Sequence, residues 1–175
     1  MSANIEIRES DPADTAAIER LYPAAFPDED LLPLLRNLLA DRDDVTSRVA
    51  TAEDTIAGHV VFTACSLGGY PDAFALLGPL AVAPALQKAG IGSALVRNGL
   101  DLMAAAGVRG VFVLGDPGYY GRFGFKADAR IAPPYPLPDA WRTAWQSIAL
   151  DRDGDAPAGT LEVPEPWRQP ALWGP

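Results

Sequence analysis

The sequence holds one cysteine, Cys65, and one histidine, His59, among its 175 residues. A lone cysteine cannot close an internal disulfide, and no Cys/His cluster has the spacing of a metal site, so no metal is expected. No apolar run approaches the ~20 residues of a membrane-spanning helix. The start, "MSANIEIRES", has neither the basic region nor the apolar core of a secretory signal. A cytoplasmic protein without a membrane partner is the expectation. Positive charge is also scarce: 14 Lys and Arg against 23 Asp and Glu leave a net charge of −9. That balance argues against general nucleic-acid binding, because phosphate contacts are made by Lys and Arg. A polyanionic ligand would need a local positive site against an unfavourable overall field. No internal repeat and no second domain is visible. With 49% hydrophobic and 21% charged residues, residues 1–175 read as one globular domain that buries a single core.

What is present is a change of period along the chain. "NIEIRES" alternates Ile5 and Ile7 with polar neighbours, as a half-buried strand does. Asp11 and Pro12 suit a helix cap and first turn. In "DEDLLPLLRNLLADRDD", Leu31, Leu34, Leu35, Leu38 and Leu39 share one side of a second helix, with Pro33 tolerated in its first turn. "VTSRVATAEDTIAGHVVFTACSL" reads as two strands joined at "EDT", and "AFALLGPLAVAP" adds a third, which suggests an antiparallel meander. The next stretch is helical: Ile91, Leu95, Leu102 and Met103 share an arc opposite Arg97 and Asp101, and Gly107 suits the C-terminal cap. "GVFVLGD" then reads as a buried strand parallel to the one before the helix, joined to it by a right-handed crossover. From residue 133 onward lie nine of the 17 prolines and all four tryptophans. Four tryptophans are too much apolar area for a linker, so 133–175 is expected to pack on the core, with "WQSIAL" and "GTLEVP" as a terminal strand pair.

The stretch "LAVAPALQKAGIGSALV", residues 80 to 96, places Gly90 and Gly92 where a helix begins. Glycine in a helical first turn costs of order 1 kcal/mol relative to Ala, so a compensating contact is expected. N–H groups at a helix start lack helical partners and carry partial positive charge. Phosphate suits them, and glycine lets it approach. A tightly packed capped turn would look similar. The turn is not a P-loop, since no Gly-Lys-Ser/Thr closes it, nor a dinucleotide fingerprint, since the third glycine is missing.

Residues 80 to 96 resemble the motif of the GNAT superfamily of N-acetyltransferases, Gln/Arg-x-x-Gly-x-Gly/Ala, here Gln87, Lys88, Ala89, Gly90, Ile91 and Gly92. Downstream, "GDPGYYGRFGF" is similar to that superfamily's short helix with a Tyr-x-x-x-Gly-Phe signature, here Tyr120, Gly124 and Phe125. "LGPLAV" and "GDPGYYGRFGF" look most like the YhbS-like branch of predicted N-acetyltransferases, over residues 4 to 130. The resemblance implies an α/β fold: a mixed, mostly antiparallel sheet with helices on both faces and central strands that splay. It implies acetyl-CoA as cosubstrate and an amine acceptor. The backbone of Leu80, Ala81 and Val82 would pair with the pantetheine arm, the loop of residues 87 to 92 would hold pyrophosphate, with Ser93 close behind, and the Val82 amide would face the thioester oxyanion. A homodimer stays open.

Acyl transfer to an amine needs a neutral nucleophile, a stabilised oxyanion and a protonated leaving sulfur. A tyrosine hydroxyl suits the last task, being neutral at pH 7. By its spacing to Gly124 and Phe125, Tyr120 matches the family's general acid, and Tyr119 is its neighbour and rival. The base is not assigned: many members carry a carboxylate in the strand before the loop, yet none stands between Ala73 and Val82. His59, Cys65, Glu29 and Asp30 are the other polar candidates, each also explicable as core or cap. Asp151, Asp153, Asp155 and Glu162 imitate a calcium loop, but Ala156 replaces its glycine. "PPYPLP" imitates a polyproline ligand beside Trp141. A non-catalytic acyl-CoA-binding sensor and a nucleotide-binding protein are the competing functions.

Overall fold

Alternating Ile5 and Ile7 form β1 (Ile5–Glu9), the edge strand of a computed structural model that describes residues 4–40, 43–151 and 157–174. Asp11 caps the next turn: its carboxylate accepts the Ala13 N–H while Asp14 accepts the Asp11 N–H, a reciprocal capping box. That turn, Pro12–Asp14, is 3-10, and α1 proper runs Thr15–Ala25. α2 (Leu32–Ala40) has Pro33 in its first turn and buries Leu34, Leu35, Leu38 and Leu39, while Leu31 packs from just before it.

β2 (Val45–Ala52) and β3 (Thr55–Leu67) are joined by Glu53 and Asp54, both left-handed at φ 50° and 64°, the geometry a two-residue hairpin turn demands. β4 (Tyr70–Val82), α3 (Ile91–Ala105) and β5 (Gly110–Leu114) complete the expected strand–helix–strand unit. Beyond them lie the one-turn helix α4 (Pro117–Tyr120) and the short strands β6 (Lys126–Ala127), β7 (Ile131–Ala132), β8 (Trp145–Ala149) and β9 (Gly159–Thr160). Seven strands form one mixed, mostly antiparallel sheet in the order β1-β2-β3-β4-β5-β8-β6, as the sequence leads one to expect. Among the described residues no helix is long and apolar enough to cross a membrane.

The chain divides into two compact units: the described residues up to Phe62 with Gly78–Asp101, and Thr63–Leu77 with those from Leu102 onward. In the first, Ile18, Tyr22, Leu35, Leu39, Val49 and Ala81 form the core. α3 seats on β3 at Gly99, where an added Cβ would lie 1.9 Å from the Phe62 ring. This contact sets the buried face of α3. Ile91, Leu95 and Met103 are buried as expected, but so are Val96 and Leu100, while Leu102 is 36% exposed. The face centres on a glycine, which a hydrophobicity pattern cannot weight, and Leu102 falls at its margin. Gly107 (φ 83°) closes the helix, with the Val108 N–H donating to the Met103 carbonyl at 3.0 Å.

In the second unit β4 runs parallel to β5 from Phe74↔Gly110 to Leu76↔Phe112, and the ladder ends there although β4 continues to Val82. "WQSIAL" does form a strand, β8, but "GTLEVP" is not its partner. β8 lies between β5 and β6, Gly159–Thr160 pairs in parallel with Ile131–Ala132, and Glu162 bridges Ser66. Burial explains the choice. At an interior position Trp145 stacks on Phe112 with ring centroids 5.2 Å apart and is 2% exposed. The aromatic series Phe74, Phe112, Trp145, Trp173, Trp167 continues in ring contact through this unit. All three buried indoles are satisfied: Trp145 donates to Ile131 O, Trp167 to Thr63 Oγ1 and Trp173 to Trp167 O. Trp141 and most of "PPYPLP" are half-buried.

Candidate active site

Six consecutive amides, from Lys88 to Ser93, donate no hydrogen bond among the described residues. The first N–H to find a partner is that of Ala94, which donates to Gly90 O at 3.0 Å. Three of the six are the orphan donors of the α3 N-terminus; the others precede it on an exposed loop. Two left-handed residues shape the loop, Lys88 at φ 65° and Gly90 at φ 88°. Gly90 has open space where a Cβ would stand, so an approaching ligand meets backbone alone. From the loop's base the Gln87 side chain donates to Val82 O at 3.1 Å and ties the turn to the end of β4. Leu80 and Val82 are partly buried there, Ala81 is buried, and the Ala83 N–H donates to Ala57 O. Such a cluster of donors at a helix start suits an anion with several oxygens, such as a pyrophosphate. The Lys88 side chain is exposed. The left-handed turn at Lys88 and the Gln87 tether are not legible in the sequence, since neither residue type favours its conformation or reach.

In the second unit Asp116 caps α4 through the Gly118 N–H, and Gly124 ends the following 3-10 turn left-handed at φ 102°. Tyr120 packs edge-on against Phe125 at 5.8 Å and against Tyr119 at 4.9 Å. Burial, and secondarily Tyr119, push its phenol above the ordinary tyrosine range. Its hydroxyl makes no hydrogen bond among the described residues, and it stays a protonated donor through neutral pH. Tyr119 is set differently, beneath the Arg122 guanidinium, 4.4 Å from its ring centre.

His59 and Cys65 fall away from such chemistry. His59 is fully buried, with Tyr22 Oη on Nδ1 and Ser47 Oγ on Nε2, both at 2.7 Å, and Ser10 completes the row through Ser47 at 2.6 Å. Burial lowers its pKa to about 3 against an opposing pull from Asp14. It is a satisfied core residue. Cys65 is buried and donates to Thr63 O. Glu29 and Asp30 are exposed between α1 and α2. Of the calcium-loop imitation, Asp153, Asp155 and Ala156 lie outside the described residues, Asp151 pairs with Arg109 at 3.6 Å, and Glu162 pairs through its backbone with Ser66.

Residues 15–125 match the acetyltransferase (GNAT) family. Over 170 residues, 93% of this chain and 94% of the relative, the chain is 31% identical to the uncharacterized N-acetyltransferase YjhQ of Escherichia coli K12. It is 32% identical to YhbS of the same strain over 70% of this chain and 74% of that one. Among solved structures, YhbS from Escherichia coli in complex with CoA superposes with a TM-score of 0.87 at 27% identity, covering 97% of this chain and 94% of that one. A GNAT family acetyltransferase from Brucella melitensis in complex with acetyl-CoA superposes at 0.77 with 32% identity, covering 94% and 99%. The match to YjhQ extends over the Pro/Trp-rich tail that the family match does not reach. With residues 15–125 matching the family and a 31% identical relative covering 93% of its length, the chain belongs to the acetyltransferase (GNAT) family.

Proposed function

We propose that the chain, acting as one domain over 1–175, transfers the acetyl group of acetyl-CoA to a primary amine of a small molecule or protein. The observation that carries this is the run of unpartnered amides from Lys88 to Ser93 at the start of α3. Pyrophosphate is assigned to Gln87–Ser93 and the pantetheine arm to the backbone of Leu80, Ala81 and Val82. The Val82 amide is the donor to the developing oxyanion, a type of contact that supplies several kcal/mol in acyl transfer. The amine nitrogen bonds to the thioester carbon, the C–S bond breaks, and the departing sulfur takes the Tyr120 hydroxyl proton. The proton the amine loses passes to solvent, and the phenolate recovers its own from water, so the products are amide and free CoA. The acidic surface, net charge −9, favours a cationic acceptor.

Two observations favour a non-catalytic acyl-CoA sensor: β4 carries no carboxylate from Ala73 to Val82, and His59 is sealed in the core. An amine panel with thiol release as readout separates the two. With a turned-over amine, Tyr120→Phe should lower kcat by roughly 10²–10⁴ with acetyl-CoA affinity unchanged, and Tyr119→Phe should leave kcat near wild type. The reverse pattern removes Tyr120 as the acid. Tight acetyl-CoA binding with no transfer to any amine gives the sensor reading the lead.

A further inference from the structure

Gly115 has an ordinary backbone. Its φ is not positive, so its conformation admits any residue. What it does not admit is a side chain. A Cβ built there would stand 2.5 Å from Tyr120 Cε2, 3.1 Å from Cδ2 and 3.6 Å from Cζ. The Tyr120 ring therefore lies directly on the Gly115 Cα. Gly115 is itself held on both sides: its N–H donates to Ala144 O at 3.0 Å, and its carbonyl accepts from Gln146 Nε2 at 3.1 Å. Gln146 is 1% exposed and also reaches Ala144 O, so its amide is spent on this one junction. The β5–β8 ladder ends one residue earlier, at Leu114↔Trp145, and fixes the approach.

We propose that Gly115, locked by Gln146, is a positioning residue: a flat backbone seat that sets where the Tyr120 hydroxyl stands. The inference rests on the reading of Tyr120 as the general acid. The seat has three walls, since Tyr119, Phe125 and, at 6.4 Å, Phe123 surround the same ring. A methyl group at Gly115 cannot be absorbed by sliding Gly115 away, because both its polar groups are engaged with β8 and the residue before it. The ring must move instead, by about 1 Å to restore ordinary contact, and the hydroxyl at its far end moves with it. A misplacement of that size in a reacting group costs roughly 10²-fold in rate. The roles of Gly124 and Phe125 come from the family signature; that of Gly115, outside the Tyr-x-x-x-Gly-Phe spacing, comes from this contact alone.

The test is a double-mutant cycle on kcat, with acetyl-CoA affinity and melting temperature measured on every variant. Gly115→Ala should lower kcat roughly 10²-fold while leaving the Kd for acetyl-CoA unchanged. Gly121→Ala is the control, because Gly121 is right-handed with nothing near its Cβ position; it should keep wild-type kcat. In the Tyr120→Phe background Gly115→Ala should cost no further kcat, since the hydroxyl is gone, yet it should still lower the melting temperature, because phenylalanine keeps the ring that clashes. A structural defect alone would lower kcat equally in both backgrounds, and that result overturns the proposal. If Tyr120→Phe itself leaves kcat intact, the acid reading fails first and takes the inference with it. If Tyr120→Phe is impaired but Gly115→Ala is not, only the seat fails. Should Gly115→Ala not fold, Gly115→Ala with Tyr120→Ala should fold again, since the clashing ring is absent; failure of that rescue means the ring is not what Gly115 accommodates.

Discussion

Acidification should destabilise this protein through His59, and the size of the effect can be worked from its surroundings. The ring is fully buried and neutral, with both nitrogens engaged at 2.7 Å. Ser10 donates to Ser47, which leaves the Ser47 proton for Nε2 and the Nδ1–H for Tyr22. A protonated ring must donate from both nitrogens, so Ser47 would have to accept from Nε2 as well as from Ser10, and its own proton would lose its acceptor in the row. Burial lowers the pKa from 6.5 to about 3, with the Asp14 charge acting in the opposite sense. A depressed folded-state pKa means that the unfolded chain binds the proton first. Stability is therefore full above pH 6.5, falls as the pH drops toward 3, and is level with respect to this group below that. Within that window the slope is about 1.4 kcal/mol per pH unit, which makes the loss at pH 5 about 2 kcal/mol. Urea denaturation of the wild type and of His59→Gln at pH 7.5, 6, 5 and 4.5 measures it. Glutamine offers a donor and an acceptor but no titration, so its curve should be flatter than the wild type's through this range, whatever its absolute stability. Parallel curves would refute the reasoning, because His59 would then titrate alike in both states.

Two further outcomes rest on particular contacts. Gly90→Val should raise the Kd for acetyl-CoA by roughly tenfold for each charge-assisted hydrogen bond it displaces, because φ 88° is strained for a branched side chain; Lys88→Ala should change it much less, its exposed charge being screened, and calorimetric titration compares them. Gly99→Ala should destabilise the fold by about 1–3 kcal/mol as an overpacked core site, since its methyl would stand 1.9 Å from the Phe62 ring; a chemical denaturation curve unchanged from wild type would mean that α3 shifts without cost.

The order of strands and helices, the leucine face of α2 and the glycine stop after α3 were determined by local pattern, because period, caps and turn residues act over a few neighbours in the chain. The same holds for the place of the turn at Gly90, although the first-turn cost expected of that glycine does not arise, because Gly90 precedes α3 with a left-handed φ of 88° that glycine adopts freely; it holds also for Tyr120, whose spacing to Gly124 and Phe125 is itself a signature. Pairing of distant segments was not local. Trp145 could enter the sheet beside β5 only once Phe112 was there to stack on it, and this contact overrode the shorter connection to "GTLEVP". The buried face of α3 likewise turned on Gly99 meeting Phe62, a close approach that leaves no mark in a hydrophobic pattern. His59 stood in the sequence as a lone titratable group of ordinary type. Only the fold surrounded it with Tyr22, Ser47 and Ser10, each hydrogen bond across that row joining residues twelve or more positions apart, and so made it neutral core. The seat of Tyr120 is of the same kind: the tyrosine was legible by spacing, whereas the glycine beneath it became visible only when β5 and β8 fixed where the Gly115 backbone lies.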